Sequence, residues 1–332
     1  MKILFTVLNW GLGHATRSAP LIRALTERGA QVILAGDGDS KSYLHDSFPG
    51  LEIRELPSYP IKYGKSAMAT RLQLVQSSPG IKSTIEQERK VVEQWIEAES
   101  FDYIISDNRY GCHHPKIPSI LITHQLNIAA PFASFLVNKV IKNYLKPFHR
   151  IWVPDVENPE INLSGDLSHP KAESLPVEYI GPLSNLPVKP GKKDLEWLGI
   201  VSGPEPQQSL FYQALLKIQA KHPLRITLAR GLSQKELTPL WNRAQKIICR
   251  SGYSSIMDLA LHQKPAILVP TPGQDEQLYL GKWFQNDCSF KVIQQNEIDD
   301  RWVDWEPENK KVHTRWTSFY MEAIESLFPT SN

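Results

Sequence analysis

Short apolar runs alternate with longer helical patterns along almost the whole chain. Near-continuous apolar runs separated by helical segments are typical of parallel strands covered by helices on both faces. The sequence therefore predicts an α/β fold built on doubly wound parallel sheets. The predicted strands are 2–8, 31–36, 51–56, 103–106, 119–124, 150–153, 197–201, 224–229, 246–249, 265–269 and 290–293, with helices at 15–28 and 82–98 among others.

A stretch rich in proline, glycine and lysine, PLSNLPVKPGKKD, interrupts this alternation, which starts again after it. Linkers between domains have this composition, and a chain of 332 residues exceeds what one core usually organises. We expect two doubly wound domains that face each other across a cleft, with ligands beyond the carboxyl ends of the strands. The predicted parts are a first domain at 1–182, a linker at 183–195, a second domain at 196–310 and a helix at 311–332 placed to cross back to the first domain.

Composition excludes several classes of protein. The net charge of +2 argues against a dedicated nucleic-acid binder. The cysteines Cys112, Cys249 and Cys288 are scattered without a CxxC pair, which favours reduced thiols in a cytosolic protein over a disulfide framework. The first apolar run ends in glycines and a histidine, unlike a signal peptide, and no apolar stretch approaches the ~20 residues that span a bilayer. We expect a cytoplasmic protein without a cofactor.

The segment NWGLGHATRS follows the first predicted strand and opens the first helix. It begins like a dinucleotide fingerprint, but Thr16 stands where the third glycine belongs and no acid closes the second strand, so a nicotinamide enzyme is disfavoured. His14 lies at the N-terminus of the helix, where the dipole disfavours the protonated imidazole and leaves a neutral base. The alternative is a histidine that only caps the turn.

Asp107 ends the strand DYIISD in the same domain. A carboxylate there is suited to accept the second ring N–H of His14 and fix its tautomer, although aspartates at strand ends often only cap loops. Two other patterns suggest metal sites less well. CHHP at 112–115 lacks a distant ligand, and the Asp-Gly-Asp at 37–39 is interpreted as a turn rather than a metal-binding motif. No metal site is predicted.

The segment CRSGYSSIMDLA, residues 249–260, passes from a strand through a tight turn into a helix that carries Asp258. A helix N-terminus offers unpaired N–H groups and positive potential, which attract phosphate. The alternative is that Ser254 or Ser255 caps this helix.

The longer segment 249–284 closely resembles the donor-binding segment of glycosyltransferase family 28, the MurG-like enzymes of the GT-B fold. The shared pattern is a strand ending in R-S-G, a helix carrying an acid, a strand ending in V-P, and a loop closing in an acid and a glutamine. The order of elements over the whole chain agrees with the two domains of a GT-B enzyme.

The resemblance implies donor-side roles, residue by residue. Ser251 and Gly252 match the turn at the diphosphate, and Asp258 matches a glutamate that binds the ribose hydroxyls. Asp275 and Gln277 match the loop that holds the sugar, although Leu278 replaces a second glutamine common in the family. The candidate donor-binding set is completed by Ser202 and Gly203, which match a second phosphate loop, and by Arg250, Tyr253 and Ser254; Arg250 is placed either to add charge or to point to solvent.

In the first domain, Gly11 and Gly13 match the acceptor-side glycine loop, with His14 at the position of the proposed catalytic base. The segment ITHQLNIAAP at 122–131 resembles an acceptor-side H-E-Q-N segment. Here His124, Gln125 and Asn127 occupy that neighbourhood without the glutamate, which implies a diverged acceptor.

Together these features predict an inverting, metal-independent glycosyltransferase. It would move a sugar from a nucleoside diphosphate donor, most plainly a UDP-sugar, to an acceptor hydroxyl, with His14 as base and Asp107 orienting it. Two alternatives stay open: a nucleotide-sugar 2-epimerase of the same fold, and a catalytically silent UDP-sugar-binding protein.

The segment 132–148 places apolar residues at helical spacing with Lys139, Lys142 and Lys146 between them. A basic amphipathic helix suits the inner face of an anionic membrane and a lipid-linked acceptor. An ordinary helix that packs its apolar stripe on the sheet has the same pattern, and this second interpretation is the preferred one.

Overall fold

The computed structural model describes residues 1–60, 67–127, 134–169, 175–308 and 316–328, without the side chains of 67–78 and 134–139. The chain forms two compact units. The first holds Met1–Ile61, Val75–Asn185 and Thr317–Asn332, and the second holds Lys62–Leu74 and Leu186–Trp316. The division between Asn185 and Leu186 falls in the stretch rich in proline, glycine and lysine.

A parallel sheet of seven strands forms the first unit, in the order β3-β2-β1-β4-β5-β6-β7. The central strand β1 pairs with β2 on one side and with β4 on the other, so that Phe5 lies between Leu34 and Ile105. Its apolar side chains are buried on both faces, as expected for a sheet covered by helices. The strands are β1 Lys2–Val7, β2 Gln31–Gly36, β3 Ile53–Glu55, β4 Tyr103–Asp107, β5 Ser119–Ile122, β6 Arg150–Val153 and β7 Val177–Tyr179.

Four helices follow these strands along the chain. They are α1 Gly13–Glu27, α2 Gly38–Ser47, α3 Ala67–Ala98 and α4 Ser134–Leu145. In the described part of α4, Leu145 is buried with Phe148 in one core cluster that also contains Leu121 and Ile151. The apolar side of this part of α4 therefore packs on the sheet, whereas Phe132 and the side chains of Phe135, Leu136 and Lys139 lie outside the described residues.

The second unit contains a parallel sheet of five strands, in the order β12-β11-β10-β8-β9. β10 is central in this sheet and ends at Cys249, the residue before the R-S-G turn. Its elements are β8 Leu195–Val201, α5 Gln207–Lys221, β9 Ile226–Arg230, α6 Gln234–Arg243, β10 Ala244–Cys249, α7 Tyr253–Leu261, β11 Ala266–Leu268, α8 Asp275–Trp283 and β12 Phe290–Val292.

The C-terminal segment packs on the first unit. Its helix α9 is short, Tyr320–Glu325, whereas the sequence pattern predicted a helix over 311–328, of which 311–315 lie outside the described residues. The Phe319 N–H donates to the Ile180 carbonyl at 2.8 Å, and Arg28, the residue after α1, pairs with Glu325 at 2.7 Å. Ile324 and Leu327 are buried.

All the strands predicted from the sequence are present, with small shifts at their ends. The sequence patterns missed β7 and α2. The interpretation of the Asp-Gly-Asp at 37–39 as a turn was wrong in part, because α2 begins at Gly38. No helix within the described residues is both long and apolar enough to cross a bilayer.

Arg109, fully buried, joins several elements at the carboxyl edge of the first sheet. Its guanidinium pairs with Asp37, donates to Glu88 of α3 at 2.8 Å, and donates to the Val7 carbonyl at 2.8 Å. Tyr59 and the Gly111 N–H also donate to Glu88, at 2.9 and 3.0 Å. Asp37 is therefore engaged in an internal ion pair at the end of β2.

We predict that Arg109→Met lowers the free energy of unfolding by about 3–5 kcal/mol, because it leaves two buried carboxylates without their counter-ion. Urea unfolding followed by circular dichroism measures the change. The matched control is Arg28→Met, which removes an ion pair with an exposed Glu325 and should cost no more than about 1 kcal/mol. Equal losses in the two variants would contradict a special role for Arg109.

Candidate active site

The glycine loop places His14 in the first turn of α1. β1 ends at Val7, and the helix begins at Gly13. Between them, Gly11 has a φ of +84°, a backbone conformation that favours glycine. The loop thus reverses the chain over the carboxyl end of β1. The side chain of His14 is 12% exposed.

Asp107 lies beside His14 because β4 pairs with β1 and ends at the same edge of the sheet, with Val7 opposite Asp107. The His14 Nδ1 and Asp107 Oδ1 atoms are 2.7 Å apart. Asp107 is fully buried. With the proton on Nδ1, His14 donates to Asp107 and its Nε2 is an acceptor, the arrangement of a base held by an orienting acid.

Two further residues of α1, not predicted from the sequence, hold the Asp107 carboxylate. Arg17 donates through Nε to Oδ2 at 2.7 Å and through Nη2 to Oδ1. Ser18 donates to Oδ2 at 2.8 Å. Arg17 follows His14 by three residues, so both project from one face of the helix, and this spacing was the available signal.

The charges in this cluster set the protonation states. Burial, and after it the positive charge of Arg17, lower the pKa of His14 below its ordinary value, and the opposing effect of Asp107 is smaller. Burial alone would raise the pKa of Asp107, but Arg17 and His14 hold that pKa well below the usual range. The cluster therefore contains an ionised Asp107 and, near neutral pH, a neutral His14.

The acceptor-side candidates divide into two groups. His124 is buried, and its Nδ1 lies 3.2 Å from Arg17 Nη1, so it joins the cluster around His14. Asn127 instead donates from its amide to the Asp166 carbonyl at 3.0 Å. Gln125 is half-buried and donates its N–H to the Thr123 hydroxyl at 3.1 Å.

In the second unit, the R-S-G turn connects β10 to α7. Gly252 is the N-cap residue, Tyr253 begins the helix, and no side chain among the described residues caps it at Gly252. The alternative in which Ser254 or Ser255 is the cap is therefore wrong. The backbone N–H groups of the first turn therefore point along the helix axis without a side-chain cap at Gly252. Asp258 is half-buried on the second turn of α7.

Arg250 is almost fully buried, so the alternative in which it points to solvent is wrong. It donates to the Gln207 carbonyl at 2.8 Å and to Gln295 Oε1 at 2.6 Å. The guanidinium carbon lies 4.3 Å from the centre of the Phe211 ring. Burial lowers the pKa of Arg250 to about 10, which leaves it charged at neutral pH. Arg250 therefore ties the first residue of α5 to the strand that precedes Ser251.

The loop before α8 is fixed largely by Gln277. The side-chain carbonyl of Gln277 accepts from the Thr271 N–H at 2.9 Å, and its side-chain amide donates to the side-chain carbonyl of Gln274. The Ser251 hydroxyl donates to the Gln277 carbonyl of the backbone at 2.8 Å. The Gln277 side chain thus fixes the loop that precedes α8. Asp275, the first residue of α8, is half-buried.

The loop with Ser202 and Gly203, predicted from the resemblance to contact phosphate, follows β8. Gly203 has a φ of +108°, and a Cβ placed on it would lie 4.0 Å from the Thr271 hydroxyl. That hydroxyl is buried and has no hydrogen-bond partner among the described residues. Ser202, Gly203, Ser251 and Gly252 thus occupy the carboxyl ends of β8 and β10, which are neighbours in the sheet.

Part of the second unit is similar to known proteins. Residues 232–305 match the model described as the glycosyltransferase family 28 C-terminal domain. A 61-residue segment is 38% identical to the UDP-N-acetylglucosamine–N-acetylmuramyl-(pentapeptide) pyrophosphoryl-undecaprenol N-acetylglucosamine transferase of Microcystis aeruginosa. That match covers 18% of this chain and only 17% of the relative.

Two solved structures resemble most of the chain. The spinosyn rhamnosyltransferase SpnG, in complex with thymidine diphosphate, has a TM-score of 0.59 and 13% identity, covering 88% of this chain and 86% of SpnG. MurG of Acinetobacter baumannii has a TM-score of 0.56 and 13% identity, covering 91% of this chain and 88% of MurG. These similarities define a GT-B fold, which confirms the predicted fold class. The resemblance to glycosyltransferase family 28 is confirmed as well, for the C-terminal domain that its model describes.

Proposed function

We propose that this protein is an inverting glycosyltransferase that transfers a sugar from a nucleoside diphosphate to an acceptor hydroxyl. The observation that carries the proposal is the His14–Asp107 pair, 2.7 Å apart, in a chain whose second unit matches the family 28 C-terminal domain over residues 232–305. A neutral imidazole with Nδ1–H directed at a carboxylate has its Nε2 available as a general base.

The donor is assigned to the second unit. The N–H groups at the start of α7 and the Ser202–Gly203 loop are suited to a diphosphate, and the buried charge of Arg250 adds positive potential behind the R-S-G turn. Asp258 is assigned to the ribose, and Asp275 and Gln277 to the sugar. UDP is the proposed nucleotide because the name of the Microcystis relative specifies a UDP-sugar, whereas SpnG was solved with thymidine diphosphate.

In the proposed reaction, His14 Nε2 takes the proton of the acceptor hydroxyl while the acceptor oxygen attacks the anomeric carbon. The bond from that carbon to the diphosphate oxygen breaks, and the nucleoside diphosphate leaves with the electron pair. A single displacement of this kind inverts the anomeric centre. Asp107 stabilises the imidazolium that forms, and backbone N–H groups stabilise the leaving diphosphate, as donors do in an oxyanion hole. No metal ion is needed in this scheme, and Asp37 is already paired with Arg109.

A lipid-linked acceptor has one line of support. The name of the Microcystis relative specifies an undecaprenol-linked acceptor for that enzyme. The helix α4 does not strengthen this assignment, because Leu145 and Phe148 are buried in the core of the first unit. The proposal therefore specifies an acceptor hydroxyl and treats its lipid linkage as a question for experiment.

We predict that Asp258→Ala weakens binding of UDP and of UDP-sugars by about ten- to a hundredfold, the equivalent of one charged hydrogen bond of roughly 1.5–3 kcal/mol. Isothermal calorimetry measures both affinities. Asp275→Ala is the matched variant, and it should weaken the UDP-sugar while leaving UDP unchanged. Unaltered UDP affinity in a folded Asp258→Ala protein would refute the ribose assignment.

We predict that His14→Ala leaves donor affinity intact and lowers turnover by about 10²–10⁴-fold, the usual contribution of a general base. UDP release with and without candidate acceptors provides the assay, and it also separates a transferase from an epimerase or a silent binding protein. His113→Ala, on a loop outside the site, serves as the control. Turnover should persist in EDTA; its abolition by the chelator and recovery with magnesium or manganese would contradict the metal-independent scheme.

We predict that sedimentation with anionic vesicles shows no salt-sensitive binding through α4, because Leu145 is buried in the core of the first unit and Ile141 packs against it. The variant Lys142→Gln/Lys146→Gln tests the helix, and Lys189→Gln/Lys192→Gln in the exposed linker is the control. Low-salt binding that disappears only in the α4 variant would point instead to a membrane-borne acceptor.

A further inference from the structure

Arg17 contacts three titratable groups from three parts of the first unit. It lies on α1 and reaches Asp107 at the end of β4, His14 in its own helix and His124 after β5. Only 4% of its surface is exposed. Arginine remains charged and can only donate hydrogen bonds. Arg17 therefore places a fixed positive charge among these groups.

The Asp107 carboxylate receives donors on both oxygens. Oδ2 accepts from Arg17 Nε at 2.7 Å and from Ser18 at 2.8 Å, and Oδ1 accepts from Arg17 Nη2 and from His14 Nδ1 at 2.7 Å. A protonated carboxyl would have to replace one of these acceptors by a donor. The geometry therefore requires the ionised form of Asp107.

The effect on His14 has the opposite sign from that of an isolated aspartate–histidine pair. A carboxylate alone favours the imidazolium. Here Arg17 Nη2 and His14 Nδ1 both donate to Asp107 Oδ1 and lie 2.9 Å apart, so protonation of the ring would place a second cation against the guanidinium. Arg17 neutralises the charge of Asp107 and makes the neutral imidazole the favoured form.

The other terminal nitrogen of the guanidinium, Nη1, lies 3.2 Å from His124 Nδ1. The nearby His124 also lowers the pKa of His14, as the smallest of the causes. The neighbouring Tyr110 feels the charge of Arg17 as well, but burial raises its pKa to about 12, so it stays neutral.

From this geometry we infer that Arg17 is a positioning residue that keeps His14 neutral, with Nδ1–H directed at an ionised Asp107. The inference rests on the proposed role of His14 as base. Its consequence is a base that works at a lower pH than an ordinary histidine, since loss of its proton occurs at lower pH. A merely structural arginine would stabilise the fold without this effect on titration.

The test is the titration of His14, followed by NMR of the imidazole in the full chain, with His14→Gln used to assign its signal. In the natural protein the midpoint should lie below the ordinary value of about 6.5, with the Nδ1–H tautomer seen in the ¹⁵N shifts. In Arg17→Met the midpoint should rise relative to the natural protein, because the charge of Asp107 is then uncompensated while the burial of His14 is unchanged. The acid limb of kcat/KM should move to higher pH with it.

Two matched variants separate charge from packing. Arg17→Lys keeps the charge, so the midpoint should stay low while kcat falls through loss of the two-pronged contact. Ser18→Ala removes a neutral donor from the same carboxylate and should leave the midpoint low. An unchanged midpoint in Arg17→Met would overturn the inference. If that variant does not fold, an Nε2–H tautomer or a midpoint at or above the ordinary value in the natural protein would overturn it.

These readouts distinguish the inference from the proposed function. The NMR titration needs no substrate, so it gives the same answer if the protein turns over no sugar donor. A shifted midpoint without transferase activity would uphold Arg17 and reject the proposed function. Turnover with an unshifted midpoint would do the reverse.

Discussion

Buried charge at the carboxyl edge of the first sheet is the constraint on which this unit depends. Arg17 and Arg109 are both buried. Arg17 pairs with the buried Asp107, and Arg109 pairs with the buried Asp37 and Glu88. A buried carboxylate without its partner costs several kcal/mol. The ends of β1, β2 and β4 therefore stay together, and the glycine loop with His14 is built on this edge.

The two arginines have different consequences. Arg109 joins Asp37 and Glu88 and receives support from the Val7 carbonyl, so its effect is on the fold. Arg17 contacts His14 directly, so its effect reaches the proposed chemistry. The same physical requirement, compensation of a buried charge, thus serves stability at one position and the protonation of a base at the other.

The second unit uses charge in another way. Arg250 is buried against carbonyl oxygens of Gln207 and Gln295, and among the described residues it forms no ion pair with a carboxylate. Its positive charge lies behind a turn whose helix has no side-chain cap. Both features favour an anion at this edge, and a diphosphate in the proposed donor meets both requirements.

Much of the architecture was determined by the sequence itself. Near-continuous apolar runs indicate parallel strands, because the strands of such a sheet are covered by helices on both faces. The strands of both sheets follow those runs. The position of His14 at the start of a helix follows from the glycines before it. The R-S-G turn and the acid of α7 were sufficient to indicate family 28, because this pattern extends over a long segment with fixed spacing.

Only the tertiary structure decided which polar residues are buried and what they contact. Arg109 is indistinguishable in the sequence from an exposed arginine, and the sequence shows of Arg17 only its spacing from His14, since burial depends on strands that are distant in the chain. The same holds for Asp37, which looked like part of a turn and is an ion-pair partner, and for Gln277, whose amide holds its own loop. Local patterns specify helices and strands through short-range geometry, whereas the pairing of buried charges depends on long-range contacts that no local pattern contains.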